Sequence, residues 1–479
     1  MLDLAENNQA PPDAFTGREI KQTRSLCPQC LEMIDARVFE REGKVWMDKT
    51  CADHGSYTAL LADDVRHYYV ADPRVEALGS CCGPSGCAPA PRHSGDQVAN
   101  HSCNMLIEVT QRCNLTCPTC YAGSSPQREE MLSVADYSAL LDDLLGKGKG
   151  DADLVQLSGG EPTIHPQIFE LIDIALERGF KQVYLNTNGI KLARRDFAEQ
   201  LASRGDRVSV YLQFDGFERR ALKVLRGRED LLETKLAALQ HCEDLGIATV
   251  PVMTLTPEVN DDQLGRFIGL GISHPKAVRK IMIQPAMYSG RYESPRVVER
   301  MTVAEVTRRI VEQTDGVFTQ DDFGPIPCSD PNCFSMALAL RTESGMVPVS
   351  RYFPRYDTWA DAGTAELIAS VTDTFDSATD LREAAQWAFS SGALDALDDD
   401  TVDALLDRIA QWQAATSETA DTWGGLFAIG IKPFMDAYTY DQDRIDKCCV
   451  HIIATDGTPV SFCEYNARNR PMADQGRQP

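Results

Sequence analysis

Positive charge is scarce in this 479-residue chain. Lys and Arg total 47 against 71 Asp and Glu, a formal charge of −24. A protein that tracks nucleic acid needs a basic face, so the balance argues against that partner. Long apolar runs are missing too. Nothing approaches the ~20 apolar residues that cross a bilayer. The stretch from Gly424 to Ile431 is short and contains glycine. The N-terminal MLDLAENNQAPPD has neither a basic n-region nor an apolar h-region, so no secretion signal is read there. The expected location is cytoplasmic, with membrane contact at most peripheral. Histidine is sparse, eight in all, but cysteine is not: there are 16. Where thiols stay reduced, 16 cysteines read as metal or cluster ligands, not as disulfides. At ~150 residues per domain, the length suits about three domains, or one large domain with additions.

The cysteines fall into groups. Cys27 and Cys30 form C-P-Q-C, and Cys51 with His54 forms C-A-D-H. Two such turns, one from each side of a ribbon, can close four ligands around one ion. Between them, residues 34–47 predict a hairpin that turns at Glu42-Gly43. The ion is zinc, or iron in a rubredoxin-like site; the plainer alternative is a pair of buried thiols with a surface histidine. Cys113, Cys117 and Cys120 form C-x3-C-x2-C. Three thiolates on one loop can hold three irons of a cubane and leave the fourth to an external ligand. Zinc is the alternative there. Cys81, Cys82, Cys87 and Cys103 lie in a Gly/Pro-rich bridge, and Cys328, Cys333, Cys448, Cys449 and Cys463 follow later. These nine could serve two further four-thiolate clusters with one to spare, or be zinc ligands, exposed thiols or buried thiols. Adjacent Cys448 and Cys449 point apart on any backbone, so each can serve a different cluster, or one can be structural. Cys242 lies in a helical pattern and reads as core.

From residue 105 the chain alternates strand and helix. Strand-like runs are 105–109, 153–157, 182–186, 208–214, 248–255 and 280–285. Helical patterns fill 133–145, 166–178, 191–204, 229–245 and 261–272, with Ser133 and Asn260 as N-caps. Strict alternation implies a parallel sheet, curved here into a partial (β/α)6 barrel. Sites in such barrels gather at C-terminal strand ends. Those ends carry the cysteine triplet, Ser158-Gly159-Gly160-Glu161-Pro162, Asn186-Thr187-Asn188-Gly189, Gln213-Phe214-Asp215-Gly216, Thr254-Leu255-Thr256 and Gln284-Pro285. Singly, each could be an ordinary turn. Together they form a ring of polar groups at one mouth. Residues 358–422 are helical and acidic, either core-facing helices or a lid over a long apolar substrate.

RCNLTCPTC, LSGGEPTIHP, LNTNG and QFDG resemble the radical S-adenosylmethionine (SAM) superfamily over residues 100–290. The resemblance implies a 4Fe–4S cluster on Cys113, Cys117 and Cys120, with SAM chelating the open iron. It implies that Gly159 and Gly160 backbone groups and Glu161 hold the SAM amino group. Asn188, Gln213 and Asp215 would lie near the ribose or methionyl carboxylate. Thr119 stands where the superfamily usually has an aromatic residue, with Tyr121 just beyond. The flanks SLCPQC, CADHG, PCSDPNC, FMDAYTYDQDR, CCVHI and VSFCEYN resemble the archaeal tetraether lipid synthase family, whose relatives include proteins described as dihydropterin methyltransferases. That likeness implies auxiliary 4Fe–4S clusters, with Cys82, Cys87, Cys103, Cys328, Cys333, Cys448, Cys449 and Cys463 as candidate ligands.

The expected fold is α/β: a partial (β/α)6 radical SAM barrel, a small N-terminal rubredoxin-like knuckle and a C-terminal α+β cysteine-rich extension. The expected division is a metal knuckle at 1–75, a cysteine-rich bridge at 76–104, the radical SAM core at 105–300 and an auxiliary-cluster region at 301–479. The expected activity is one-electron cleavage of SAM and hydrogen abstraction from an unactivated C–H bond, serving C–C bond formation between lipid alkyl chains. The alternative is methylation of a pterin-like small molecule. A non-catalytic iron–sulfur carrier is a third reading, but a carrier has no use for the strand-end groups. A ferredoxin- or flavodoxin-type reductant is the expected partner, beside a lipid or small-molecule substrate.

Overall fold

The computed structural model describes residues 17–69, 102–146, 154–292, 300–325, 329–342, 345–348, 350 and 425–477. Cys81, Cys82, Cys87, Cys328 and the acidic helical segment lie outside the described residues.

A four-stranded antiparallel sheet comes first: β1 (Arg18–Leu26), β2 (Met33–Arg41), β3 (Lys44–Cys51) and β4 (Gly55–Ala62), in that order. The expected hairpin is β2–β3. Its turn residues Glu42 and Gly43 both have positive φ, 54° and 72°, which suits a two-residue hairpin turn to the strand twist. This sheet packs on the C-terminal part of the chain. Leu26 and Leu31 share a core with Met435, Tyr440 and Ile445. Lys49, buried, donates to Ser25 Oγ and to the Ala437 and Tyr438 carbonyls.

The six expected strands form the barrel sheet: β5 (Asn104–Thr110), β6 (Leu154–Gly159), β7 (Gln182–Thr187), β8 (Val208–Gln213), β9 (Thr249–Leu255) and β10 (Lys280–Pro285). They pair in order and in parallel. Side chains alternate along each strand. One face carries Ile107, Leu157, Leu185, Leu212 and Ile283, buried in one core with the helices. The other face carries Gln156, Asn186, Tyr211 and Gln213, which line a cavity.

Helices α1 (Val134–Gly146), α2 (Ile168–Glu177), α3 (Arg195–Ala202), α4 (Arg219–Arg226) and α5 (Leu232–Leu245) follow; all but α4 cover the apolar face, and α4 packs on the loop leaving β5. Ser133 caps α1 as expected, its hydroxyl accepting from the Asp136 amide at 3.1 Å. Three expectations are corrected. The pattern read as one helix from 229 starts at Leu232, and α4 precedes it as a separate helix. The 261–272 pattern breaks into α6 (Leu264–Ile268) and α7 (Leu270–Ser273) at Gly269; glycine weakens helices, and this stretch holds three. Asn260 caps neither piece. Its side-chain amide donates to the Asp215 and Thr254 carbonyls and accepts from the Thr256 amide, tying two strand ends together.

The region after residue 300 opens with α8 (Val303–Gln313) and the strands β11 (Gly324–Pro325), β12 (Ser335–Thr342) and β13 (Gly345–Pro348). It was expected as an α+β extension, and it extends both edges of the barrel sheet. β14 (Leu426–Ile431) lies parallel to β10, and β12 runs antiparallel beyond it. β15 (Val450–Ile453) lies parallel to β5, with β16 (Pro459–Ser461) outside it. Unpaired edges are a liability in any sheet, and this region covers both. No helix among the described residues is long and apolar enough to cross a membrane.

Candidate active site and metal centres

The loop leaving β5 carries Cys113, Cys117 and Cys120, and all three line the cavity at the strand ends. Hydrogen bonds hold the loop. Gly160 N–H donates to Thr110 O at 2.7 Å and Glu161 N–H to Arg112 O at 3.0 Å. A Cβ at Gly159 would sit 2.1 Å from Thr110 O, and one at Gly160 2.2 Å from Arg112 O. The paired glycines therefore serve close approach of β6 to the cysteine loop. Thr119 Oγ1 donates to Leu225 O of α4 at 2.9 Å. Arg291, just past β10, donates to Cys117 O and Ser124 O. Gly160→Ala is expected to push the loop away, cost on the order of 1–3 kcal/mol and lower the iron retained on reconstitution. Metal analysis beside a thermal melt would check it; full iron with an unchanged melt would rule this out.

Burial pushes the Cys113 thiol up to about 12, helped by the Glu161 carboxylate and the other thiols. Burial also raises Cys117, while Arg226 opposes it. Metal binding to such thiols must release their protons. The donor set, three clustered thiols beside a cavity, fits three irons of a cubane.

Glu161 is fully buried and burial raises its pKa. Its Oε1 accepts from Thr163 N, Thr163 Oγ1 and Thr187 Oγ1, and its Oε2 from Asn188 N at 2.8 Å. A carboxylate has about four acceptor positions, so Oε2 keeps room for an ammonium. Asn188 Nδ2 donates to Asn114 Oδ1 at 2.7 Å, between the first two cysteines of the loop. Backbone groups of Gly159 and Gly160 were expected to help hold the SAM amino group. Both glycines line the cavity, and the Gly160 N–H is spent on Thr110 O.

Asp215 is also corrected. It is 0 % exposed and stands behind the cavity wall. Arg226 Nε donates to Oδ2 at 2.6 Å and an Arg226 terminal nitrogen to Oδ1 at 2.5 Å. Gln213 Nε2 and the Thr254 amide also donate to Oδ1. Lys235 Nζ is 3.9 Å away and donates to Gln213 O. Burial works against the Asp215 charge, but Arg226 wins and holds its pKa below the usual range. Arg226 reaches Cys117 as well. The sequence reading missed Arg226, Lys235 and Arg291. Only the basic run R-R-A-L-K-V-L-R, uncommon in so acidic a chain, could have flagged the first.

The cavity has a volume of about 280 Å³. Its inner wall is polar: Asn104 Nδ2 donates to Gln156 Oε1 at 2.6 Å and Gln156 Nε2 to Asn186 Oδ1 at 2.5 Å. Asn104 Oδ1 is buried without a partner among the described residues. Tyr211, Phe334 and Phe434 supply aromatic faces, and Lys432 adds a cation. Tyr121 packs edge-on to Phe462 on the same wall.

The N-terminal ligand atoms of Cys27, Cys30, Cys51 and His54 lie within 4.8 Å of one another. Cys27 Sγ is 3.6 Å and Cys51 Sγ 3.4 Å from His54 Nδ1, and Cys30 Sγ is 3.9 Å from Cys51 Sγ. Tetrahedral zinc with bonds of about 2.0–2.3 Å has ligand–ligand edges of about 3.4–3.8 Å, so the site fits. Burial opposes the Cys27 thiolate, yet the Cys30 and Gln29 amides carry its pKa below the ordinary value. Cys27→Ala is expected to lose one metal per chain while SAM cleavage stays measurable. Loss of all soluble protein would instead make the knuckle a folding element.

The C-terminal thiols split. Cys333 and Cys463 are half-buried, and Cys448 interacts electrostatically with both. Arg444 donates to Cys333 Sγ from two nitrogens at 3.4 Å each. Cys463 Sγ accepts from Met435 N at 3.4 Å. The Cys449 carbonyl accepts from Asn104 N at the start of β5, next in sequence to Cys103. Cys242 is core, 0 % exposed.

A parallel strand–helix barrel, a three-thiol loop over its mouth and a four-ligand knuckle define a radical SAM enzyme with a zinc ribbon. Residues 107–270 match the radical SAM superfamily profile, and residues 19–63 match the HMPTM N-terminal zinc ribbon domain. A 4Fe–4S cluster and SAM are the cofactors such a protein uses, and the further thiols suggest auxiliary metal sites. The chain is 29% identical to 7,8-dihydro-6-hydroxymethylpterin dimethyltransferase of Methanocaldococcus jannaschii over 95% of both chains. It is 32% identical to GTP 3',8-cyclase of Chlorobaculum tepidum, over 37% of this chain and 53% of that one. A crystal structure of SuiB from Streptococcus suis bound to SAM aligns with a TM-score of 0.38 and 17% identity, covering 46% of this chain and 48% of that one.

Proposed function

We propose that this protein is a radical SAM methyltransferase acting on a pterin-like small molecule. The amide-lined cavity wall carries the reading. Asn104, Gln156 and Asn186 present both donors and acceptors, and Tyr211 and Phe334 offer faces to a flat ring. A pterin edge alternates donors and acceptors in the same way. The amides bond to one another, but an alkyl chain would leave the position that they do not fill, Asn104 Oδ1, desolvated at a cost of about 1–3 kcal/mol. Similarity over 95% of both chains to a pterin dimethyltransferase supports the same class. The expected joining of lipid chains has no comparable support.

In this reading Cys113, Cys117 and Cys120 hold three irons. Glu161 Oε2 and Asn188 face the SAM amino acid end, and Gln213 faces the cavity from β8. Asp215 orients Arg226, which in turn steadies Cys117. When bound, cluster and SAM supply one-electron sulfonium cleavage and a carbon radical able to take hydrogen from an unactivated C–H bond. The protein's part is to place groups and keep water out. Cys333, Cys448 and Cys463 serve one auxiliary centre, and Cys103 and Cys449 belong to a different one. The test is anaerobic incubation of the reconstituted enzyme with SAM, a reductant and 7,8-dihydro-6-hydroxymethylpterin, read by mass spectrometry. A methyl mass gain on the pterin is expected. An unmodified pterin, together with altered alkyl lipids in an expressing host, would sink the proposal.

A further inference from the structure

Basic side chains are scarce overall, yet residues 219–228 hold five and no acidic residue. This run is α4 and its C-terminal turn. Its two faces differ. Leu222 on the inner face packs with Cys113, Leu115 and Cys117. The Leu225 carbonyl accepts from Thr119, and Arg226 reaches Cys117. At Gly227, φ +75°, the backbone closes on Thr116 O. On the outer face Arg219, Arg220 and Lys223 are exposed. None of the three forms an ion pair with a described carboxylate. Val224, 40% exposed, adds an apolar spot beside them.

We propose that the outer face of α4 is the docking surface for an acidic one-electron carrier protein of the flavodoxin or ferredoxin class, which reduces the cluster on the adjacent loop. The inference rests on Cys113, Cys117 and Cys120 holding a redox cluster. A helix with its side chains is roughly 10–12 Å across. A carrier seated on α4 thus brings its redox group about one helix diameter from the thiols, a separation that electrons tunnel. A net charge of −24 repels an acidic carrier over most of the surface, so a local cationic face decides both encounter and register. The step moves one electron: the carrier is oxidised by one and the cluster reduced by one, with no bond made or broken. Nucleic acid fits the patch less well, since three free cations on a two-turn helix offer few phosphate contacts.

The test uses the reconstituted full-length enzyme without oxygen. Cluster reduction is timed with reduced flavodoxin and, separately, with titanium(III) citrate, which needs no docking. In Arg219→Glu/Arg220→Glu/Lys223→Glu the flavodoxin-driven rate is expected to fall on the order of tenfold or more, with iron content and the titanium rate unchanged. The triple glutamine variant should fall between. In the wild type the flavodoxin rate should drop as salt is raised. A wild-type rate insensitive to salt, or equal flavodoxin rates in variant and wild type, would overturn the docking surface alone. So would nucleic-acid binding lost in the variant while flavodoxin reduction persists. Failure of titanium to reduce any cluster in the wild type would remove the cluster reading and the surface with it.

Discussion

Cys113→Ala/Cys117→Ala/Cys120→Ala will lose about four irons per chain and all detectable cleavage of SAM. The three thiols are the donors that face the barrel mouth among the described residues. Cys242 is locked in the core and the ribbon has its own four ligands. The loop itself should survive. It is held by backbone hydrogen bonds from Gly160 and Glu161, by Thr119 and by Arg291, none of which involves a thiol. Circular dichroism should therefore match the wild type, and iron bound elsewhere should remain. If the variant still yields 5′-deoxyadenosine, the cluster is held by other residues.

Asp215→Ala will destabilise the protein by roughly 3–5 kcal/mol. Lys235 is fully buried and Arg226 nearly so, and the substitution leaves two cations facing a void. The loss should spread to the cluster loop, because Arg226 touches Cys117 and α4 packs on the same loop. The denaturation midpoint of the anaerobic enzyme would show it, and a change under about 1 kcal/mol would mean that water already reaches the pair. The acid dependence has a definite sign. The folded pKa of Asp215 is depressed, with Arg226 overcoming burial. Its stabilisation is thus complete above the ordinary carboxylate pKa of about 4, and is lost only as pH falls through the lower folded value. Asp215→Asn should remove that acid limb while keeping the side chain's shape.

These two predictions differ in how much of each was readable beforehand. The thiol triplet is a local pattern: three ligands within eight residues, after an apolar strand. Spacing alone brings them together, and the same holds for Cys27 with Cys30 and Cys51 with His54. The role of Asp215 was misjudged because its neighbours decide it. QFDG at a strand end looks like a ligand for substrate, but Arg226 is 11 residues on and Lys235 lies on the next helix. Nothing in the residue types says that both turn inward. The glycines of GGEP were noticed, though for a different reason. They also leave room for a contact between two loops, since a Cβ at either would lie 2.1–2.2 Å from the Thr110 or Arg112 carbonyl oxygen.

The sequence by itself determined the strand–helix alternation, the ribbon hairpin, the two short-spaced thiol sets and the radical SAM class. Each depends on residues a few positions apart, where periodicity and turn chemistry act without help from the rest of the chain. Tertiary structure decided that β14 and β15 pair with the two edges of the barrel sheet, and that Cys448 lies near Cys333 and Cys463. It also decided that Asp215 braces the site from behind and that the basic run of α4 packs beside the cysteine loop. Those outcomes depend on which distant segments pack together, and burial, not spacing, sets whether a charged side chain meets a ligand, a partner or water.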